Sequence, residues 1–291
     1  MGAGTVVSER GKKDLSELST KKNRIGKIPM ANSIVAASNS RKKIQRRSKK
    51  SVVISPVQKL FNTCKKVFAN AKSGVVPSQE NIDMLRAVLD EIKPEDLGVT
   101  PKMPYFRSKM TGQSPLVTYI HIFNCHRFSI GIFCLPPSAV IPLHNHPEMT
   151  VFSKLLFGTM HIKSYDWVAD SPQPSSDTRL AKLKVDSEFT APCDTSILYP
   201  TDGGNLHCFT AKTACAVLDV LGPPYSDPAG RHCTYYFDYP FSTFSVDGVA
   251  VAEEEKEGYA WLKEREDEPE EFTVMTMMYI DHQRMNVKYN K

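Results

Sequence analysis

The chain has 291 residues, 41% of them hydrophobic and 24% charged, as in an ordinary soluble globular protein. Its glycines and prolines show no period, it has no run of about 18 apolar residues, and its first 30 residues lack an apolar core; collagen-like arrays, a membrane-spanning helix and a secretory leader are not expected. The net charge of +5 hides an asymmetry: residues 1–50 carry 14 Lys/Arg against 3 Asp/Glu, a local +11, and the remainder sums to −6.

Residues 1–50 are rich in Ser, Asn, Gly and Lys, and cannot bury enough apolar surface to offset the entropy of ordering. They read as a disordered basic tail ahead of one domain over 51–291. Their densest charge, Arg41 to Lys43 and then Arg46, Arg47, Lys49 and Lys50, reads as a nuclear import signal or a contact for an acidic partner, against the plainer reading of a solvated tail. Gly2 follows Met1, but Val6 stands where a myristoylation signal needs Ser or Thr.

Two helices are predicted next. After Ser55-Pro56 the apolar residues Val57, Leu60, Phe61, Cys64, Val67 and Phe68 recur at helical spacing, with Ser55 placed to cap. Ser78 opens a second helix with Ile82, Leu85, Leu89 and Ile92 on one face, and Lys93-Pro94 closes it. Both are expected to pack against the body of the domain. From about 118 to 240 the pattern becomes ten short β-rich runs separated by turn residues: 119–122, 128–135, 139–143, 150–157, 160–167, 181–185, 196–199, 206–210, 214–221 and 234–239. That density predicts a mainly β antiparallel sandwich or jelly roll. The acidic run Glu253–Glu271 reads as a solvated helical face, and residues 273–281 as a final strand. The seven cysteines form no C-x-x-C pair, which points to free thiols in a reducing compartment, most of them small core residues.

The chemistry concentrates in Pro142-Leu143-His144-Asn145-His146-Pro147-Glu148. Residues i and i+2 of a strand point to one face, so His144 and His146 can aim both imidazoles inward, a ready metal chelate. Two unrelated surface histidines near a Pro turn are the plainer alternative. Sixty-one residues after His146, the turn Tyr199-Pro-Thr-Asp-Gly-Gly-Asn-Leu-His207 delivers a third histidine onto the start of a strand. The pair of motifs resembles the two signature motifs of the cupin superfamily, a small antiparallel double-stranded β-helix with a metal in its mouth. Cupins usually supply a Glu four or five residues after the second His; here those positions hold Thr150 and Val151. Three neutral imidazoles leave the charge of a divalent metal uncompensated, which favours an anionic ligand from the substrate, with thiolate the soft candidate.

The run from His144 through Trp167, with Asp219-Val-Leu-Gly-Pro-Pro-Tyr225, is similar to the plant cysteine oxidases, thiol dioxygenases of the cupin superfamily related to the animal 2-aminoethanethiol dioxygenase. The likeness extends from about Pro56 to Asn286, with the basic tail outside it. It implies an Fe(II) enzyme with His144, His146 and His207 as ligands. It further implies oxidation by O2 of the N-terminal cysteine of target proteins, ethylene-response transcription factors, to cysteine sulfinic acid. Oxygen sensing through the N-degron pathway would follow, in nucleus and cytoplasm. Asp219, an acid in an apolar strand and costly unless paired, falls near the iron by this resemblance, where it orients the substrate amine or a water; a buried partner for a backbone amide or an arginine is the alternative. Tyr225 falls at the entrance, donating to oxygen species or substrate, or is a packed aromatic. Cys233 and Tyr235 match positions that crosslink in the animal relative, and are read here as two ordinary core residues. The other histidines, His121, His126, His161, His232 and His282, read as surface or satisfied core residues. A monomer without nucleic-acid or membrane partners is expected. Three readings compete with the main one: a dioxygenase for cysteamine or free cysteine, a non-catalytic cupin binding protein, and zinc in the same three-histidine site.

Overall fold

The computed structural model describes residues 54–107, 114–270 and 272–280. The chain divides into two units, Met1–Ser51 and Val52–Lys291, and every described residue belongs to the second. The expectations placed on the basic tail and on His282 lie outside the described residues.

Helix α1 spans Pro56–Val67 and α2 spans Gln79–Glu91. Ser55 Oγ accepts from the Gln58 amide and Ser78 Oγ from the Asn81 amide, so each N-terminus has a side-chain acceptor for a donor that lacks an intrahelical partner. Pro56 occupies the first turn of α1, where its missing N–H costs nothing, and Lys65 and Lys66 face the negative end of the helix dipole. Val57, Leu60, Cys64 and Val67 on α1, and Ile82, Leu85, Val88 and Leu89 on α2, are buried. The predicted helices and their caps are those found.

Among the described residues twelve strands follow: β1 Val117–Asn124, β2 Ser129–Leu135, β3 Val140–Asn145, β4 Thr150–Phe157, β5 Thr159–Trp167, β6 Thr178–Thr190, β7 Ser196–Leu198, β8 Leu206–Ala211, β9 Cys215–Gly222, β10 Tyr236–Pro240, β11 Tyr259–Glu264 and β12 Val274–Met278. They form two six-stranded sheets, ordered β12-β1-β2-β9-β4-β7 and β10-β11-β6-β5-β8-β3. All pairings are antiparallel except β1 with β12. This is the predicted double-stranded β-helix, and each of the ten expected runs has its strand. The acidic run is the exception. It holds one short 3-10 turn, Glu253–Gly258, and then β11, pinned between β10 and β6. Ala260, Trp261 and Leu262 are buried there, so four consecutive apolar residues outweigh the flanking charge.

The first sheet is covered on both faces, and its alternation decides what enters the barrel. On β9, Ala216, Leu218 and Val220 join the core formed with the helices, while Cys215, Val217 and Leu221 face the barrel side. Period-2 geometry therefore aims Asp219 into the barrel. Likewise β4 sends Phe152 and Leu156 to the helices, and with them Lys154. The ammonium of Lys154 binds Asp90 of α2 at 3.2 Å and the Cys193 carbonyl at 2.6 Å, while the amide and hydroxyl of Thr195 both donate to Asp90. Lys154 is 8% exposed, and burial of a charge is tolerated here because it is both paired and hydrogen-bonded. This contact and the stacked Phe68 and Phe128 rings fasten the helical layer to the barrel.

Candidate metal centre

His144 comes from β3. The β3–β8 ladder shifts register between Ile141 and His144, across Pro142, which has no N–H to donate to a ladder. Past that irregularity His144 pairs directly with His207 of β8. His146 lies one residue beyond the end of β3, and Asn205 holds it from both sides: its Oδ1 accepts from the His146 amide at 3.1 Å, and its Nδ2 donates to the His146 carbonyl at 2.8 Å. Asn205 is itself set by the turn before β8. The Gly204 and Asn205 amides donate to Asp166 Oδ1, and a Cβ on Gly204, at φ +83°, would lie 2.4 Å from Ser164 Oγ. The backbone at that glycine is therefore both left-handed and closed to a side chain.

The three rings converge, with centroids 4.7–4.9 Å apart. Their ligand atoms all lie within 4.8 Å of one another, and His146 Nε2 is 3.2 Å from His207 Nε2. All three residues are buried. Burial pulls His144 down to about 4 and holds His146 and His207 well below the ordinary histidine range, so the three are neutral near pH 7. Two tautomers follow from proton counting. His144 Nδ1 lies 2.8 Å from the Pro142 carbonyl, which only accepts, so Nδ1 carries the hydrogen and Nε2 is bare. The Tyr225 hydroxyl donates its one proton to the Asn145 carbonyl at 2.7 Å and so accepts from His146 Nδ1 at 2.9 Å. His146 Nε2 is bare as well. His207 Nε2 faces the bare His146 Nε2, close enough to share a proton with it or for one cation to hold both. Two nitrogens 3.2 Å apart suit adjacent positions on one ion with metal–nitrogen bonds of about 2.1 Å. The donor set thus fits a divalent metal held by imidazole alone. Among the described residues this trio is the one group of three or more metal-ligating side chains.

No carboxylate joins it. Thr150 is fully buried, its hydroxyl unpartnered, and Glu148 is exposed at φ +59°. The metal site opens onto a cavity of about 410 Å³ whose lining includes Asp219, Tyr225, Cys233 and Tyr235, large enough for a small ligand or a chain terminus. Asp219 is 5% exposed, and desolvation raises its carboxyl to about 7 against the pull of the Ser153 hydroxyl; its Oδ1 has no partner. Neither alternative pairing, with a backbone amide or an arginine, is found at that oxygen. Burial, with Cys233 beside it, holds the Tyr225 phenol well above its usual range. Tyr225 lines the cavity as expected, but its hydroxyl is committed to His146 and Asn145. Cys233 lies beside Tyr225 and Tyr235, and burial raises its thiol.

One expectation needs correction. His121 is neither a surface nor a satisfied residue: it lines the same cavity, and its Nδ1 is buried without a partner. By contrast His161 pairs with Asp186 and His232 with Asp227, and His126 is exposed. Sequence reading also passed over Asn205 and Asp166. Their signal was present in the Gly203-Gly204-Asn205 turn, though nothing in the sequence tells which backbone an asparagine will hold.

Fold and site together define a cupin with an all-imidazole metal cradle at the mouth of its barrel. Residues 88–283 match the PCO_ADO family, and the chain belongs to that family. It is 80% identical over 279 residues to "Plant cysteine oxidase 2" of Arabidopsis thaliana, covering 96% of this chain and 98% of that one. It is 66% identical over 225 residues to "Plant cysteine oxidase 1" of the same species, covering 76% and 77%. With "2-aminoethanethiol dioxygenase" of Mus musculus it shares 32% identity over 175 residues, 54% of this chain and 68% of the other. The first alignment leaves at most 12 residues outside, so the likeness takes in most of the basic tail, which the sequence reading had excluded.

Proposed function

We propose that the protein uses O2 to oxidise the N-terminal cysteine of target proteins, ethylene-response transcription factors, to cysteine sulfinic acid. Fe(II) would be held by His144, His146 and His207. As a member of its family the chain is a thiol dioxygenase; the identity of the metal and of the protein targets is the added step. The observation that carries it is a buried trio of neutral imidazoles, with no carboxylate among them, facing a cavity whose far wall holds an unpaired aspartate. Such a cradle leaves a divalent ion's charge to be met by an anion from the substrate.

When bound, the iron supplies the redox chemistry between thiolate and dioxygen. The chain's own residues do the rest. The Pro142 carbonyl and Tyr225 hydroxyl keep two imidazoles in the tautomer that offers Nε2. Phe133, Phe209 and Leu221 limit water in the cavity. Asp219 accepts from the substrate ammonium, which supplies the counter-charge its burial otherwise denies it. No outside reductant is required: the sulfur gives up four electrons, dioxygen takes four, and both oxygen atoms end on sulfur.

The test is intact-mass analysis of a Cys-initiated peptide incubated with iron-loaded protein under ¹⁸O2. Gain of two labelled oxygens supports the reading. No gain, or far faster turnover of cysteamine or free cysteine, overturns the reaction or the substrate class respectively, and activity with zinc in place of iron would overturn the metal. In the same reading the oxidised proteins enter the N-degron pathway, the protein acts as a monomer in nucleus and cytoplasm, and the basic tail serves as an address. Removal of residues 1–50 then spares turnover of purified peptide and changes location in cells.

A further inference from the structure

The wall facing the imidazoles belongs to the sheet that backs the helices. One lateral row crosses it: His121 of β1 opposite Gly131 of β2, Gly131 opposite Asp219 of β9, and Asp219 opposite Ser153 of β4. Directly opposed residues share a face, and the alternation on β9 puts this face inside the barrel. Gly131 is a gap in the row, and Tyr119 fills it. A Cβ on Gly131 would lie 2.3 Å from the Tyr119 hydroxyl oxygen, so the phenol reaches over β2 where no side chain obstructs it. Three strands at about 4.8 Å spacing set His121 and Asp219 roughly 10 Å apart, with the Tyr119 hydroxyl between them. Burial, and after it the charge on Asp219, pushes that phenol up to about 12.

Three atoms of this row are buried and without partners, Ser153 Oγ, Asp219 Oδ1 and His121 Nδ1, and the last two belong to side chains that line the cavity. Asp219 is 5% exposed, and Tyr119 lines the cavity beside Asp219 and His121. Unmet polar atoms are costly unless a ligand completes them. A ligand that spans the cavity with sulfur toward the imidazoles presents a cationic donor to Asp219 first and, one bond-length pattern further along, a carbonyl and an N–H. Free cysteamine has the first of these and lacks the others.

Resting on the function proposed above, we propose that Tyr119 and His121 are specificity-determining residues that read the first peptide group after the substrate's cysteine. In this arrangement Asp219 accepts from the α-ammonium, the Tyr119 hydroxyl donates to the carbonyl of the cysteine, and His121 Nδ1 accepts from the next N–H. The site then favours a chain terminus over a small thiol by contacts that lie away from the metal.

The test compares dissociation constants of a Cys-initiated pentapeptide and of cysteamine for the iron-loaded full chain without oxygen, in wild type, Tyr119→Phe and His121→Leu. Each variant should bind the peptide about tenfold more weakly, the worth of one hydrogen bond to a strongly polar partner, and bind cysteamine within twofold of wild type. Iron content should not change. Equal losses for both thiols, or undiminished peptide binding in the isosteric Tyr119→Phe variant, would overturn the assignment while leaving the dioxygenase reading intact. Wild-type protein that fails to oxidise the peptide in air overturns both.

Discussion

The two walls of the cavity differ in how completely they are satisfied. On the β3–β8 wall, His144 and His146 each have Nδ1 engaged, His146 is clamped through its backbone by Asn205, and Asn205 is seated on a turn held by Asp166. On the β1–β2–β9 wall, Asp219 Oδ1 and His121 Nδ1 have no partner and Gly131 leaves a gap. A wall built for a resident ion must fix its ligands beforehand, because strained or wandering ligands cost affinity. A wall built for a passing substrate keeps polar atoms open, because atoms already paired would have to be released. The contrast separates groups that hold from groups that receive.

Substitutions on the holding wall should act through metal content. The largest effect is expected for His207→Ala: iron content measured by elemental analysis falls to near zero, activity falls with it, and the circular dichroism spectrum stays native. Retained iron would break the comparison at its root. Asn205→Ala comes next. It leaves the His146 amide and carbonyl without their side-chain partner, and should lower metal affinity about 10- to 100-fold and thermal stability by about 1–3 kcal/mol, read by metal titration and calorimetry.

On the receiving wall the effect should be on stability instead, and its size should depend on pH. The Asp219 carboxyl is raised from an ordinary 3.8 to about 7 in the folded, metal-free protein. The folded state therefore holds a proton that the unfolded state has lost between those values, and stability falls as pH rises through that window. Asp219→Asn removes this dependence. Relative to wild type, its unfolding free energy should rise between pH 4 and pH 7 by up to about 4 kcal/mol, from the size of the shift. A flat difference across that range would mean that Asp219 is compensated in a way its surroundings do not reveal. The smallest effect belongs to Tyr225→Phe, which frees the His146 tautomer without touching Nε2: metal affinity should drop about tenfold. An unchanged affinity would place Tyr225 among the receiving groups.

Much of the holding wall was legible in the sequence. The His-x-His spacing on a strand face and the Gly-Gly turn before His207 are short-range signals, and local geometry alone brings each histidine to its place. The helix caps at Ser55 and Ser78 were legible for the same reason. The receiving wall was not. Whether His121 faces Asp219 depends on the register of β1 on β2 and of β2 on β9, the second a pairing between segments nearly ninety residues apart. Gly131 reads as nothing more than a weak spot in a strand until the phenol of Tyr119 is seen lying across it. Strand β11 was missed for another reason: the charge surrounding Tyr259-Ala-Trp-Leu dominates any window average, while burial is decided by those four side chains.

Gly222 ends β9, and a Cβ there would lie 2.0 Å from the ring of Phe68, the residue that caps α1. Three positions later comes Tyr225, which steadies His146. The amino-terminal helices are thus in touch with the ligand shell through a side-chain-free position and a short proline loop. Trimming or grafting at α1, where engineers would look first for a dispensable appendage, should loosen the metal ligands before it disturbs the barrel.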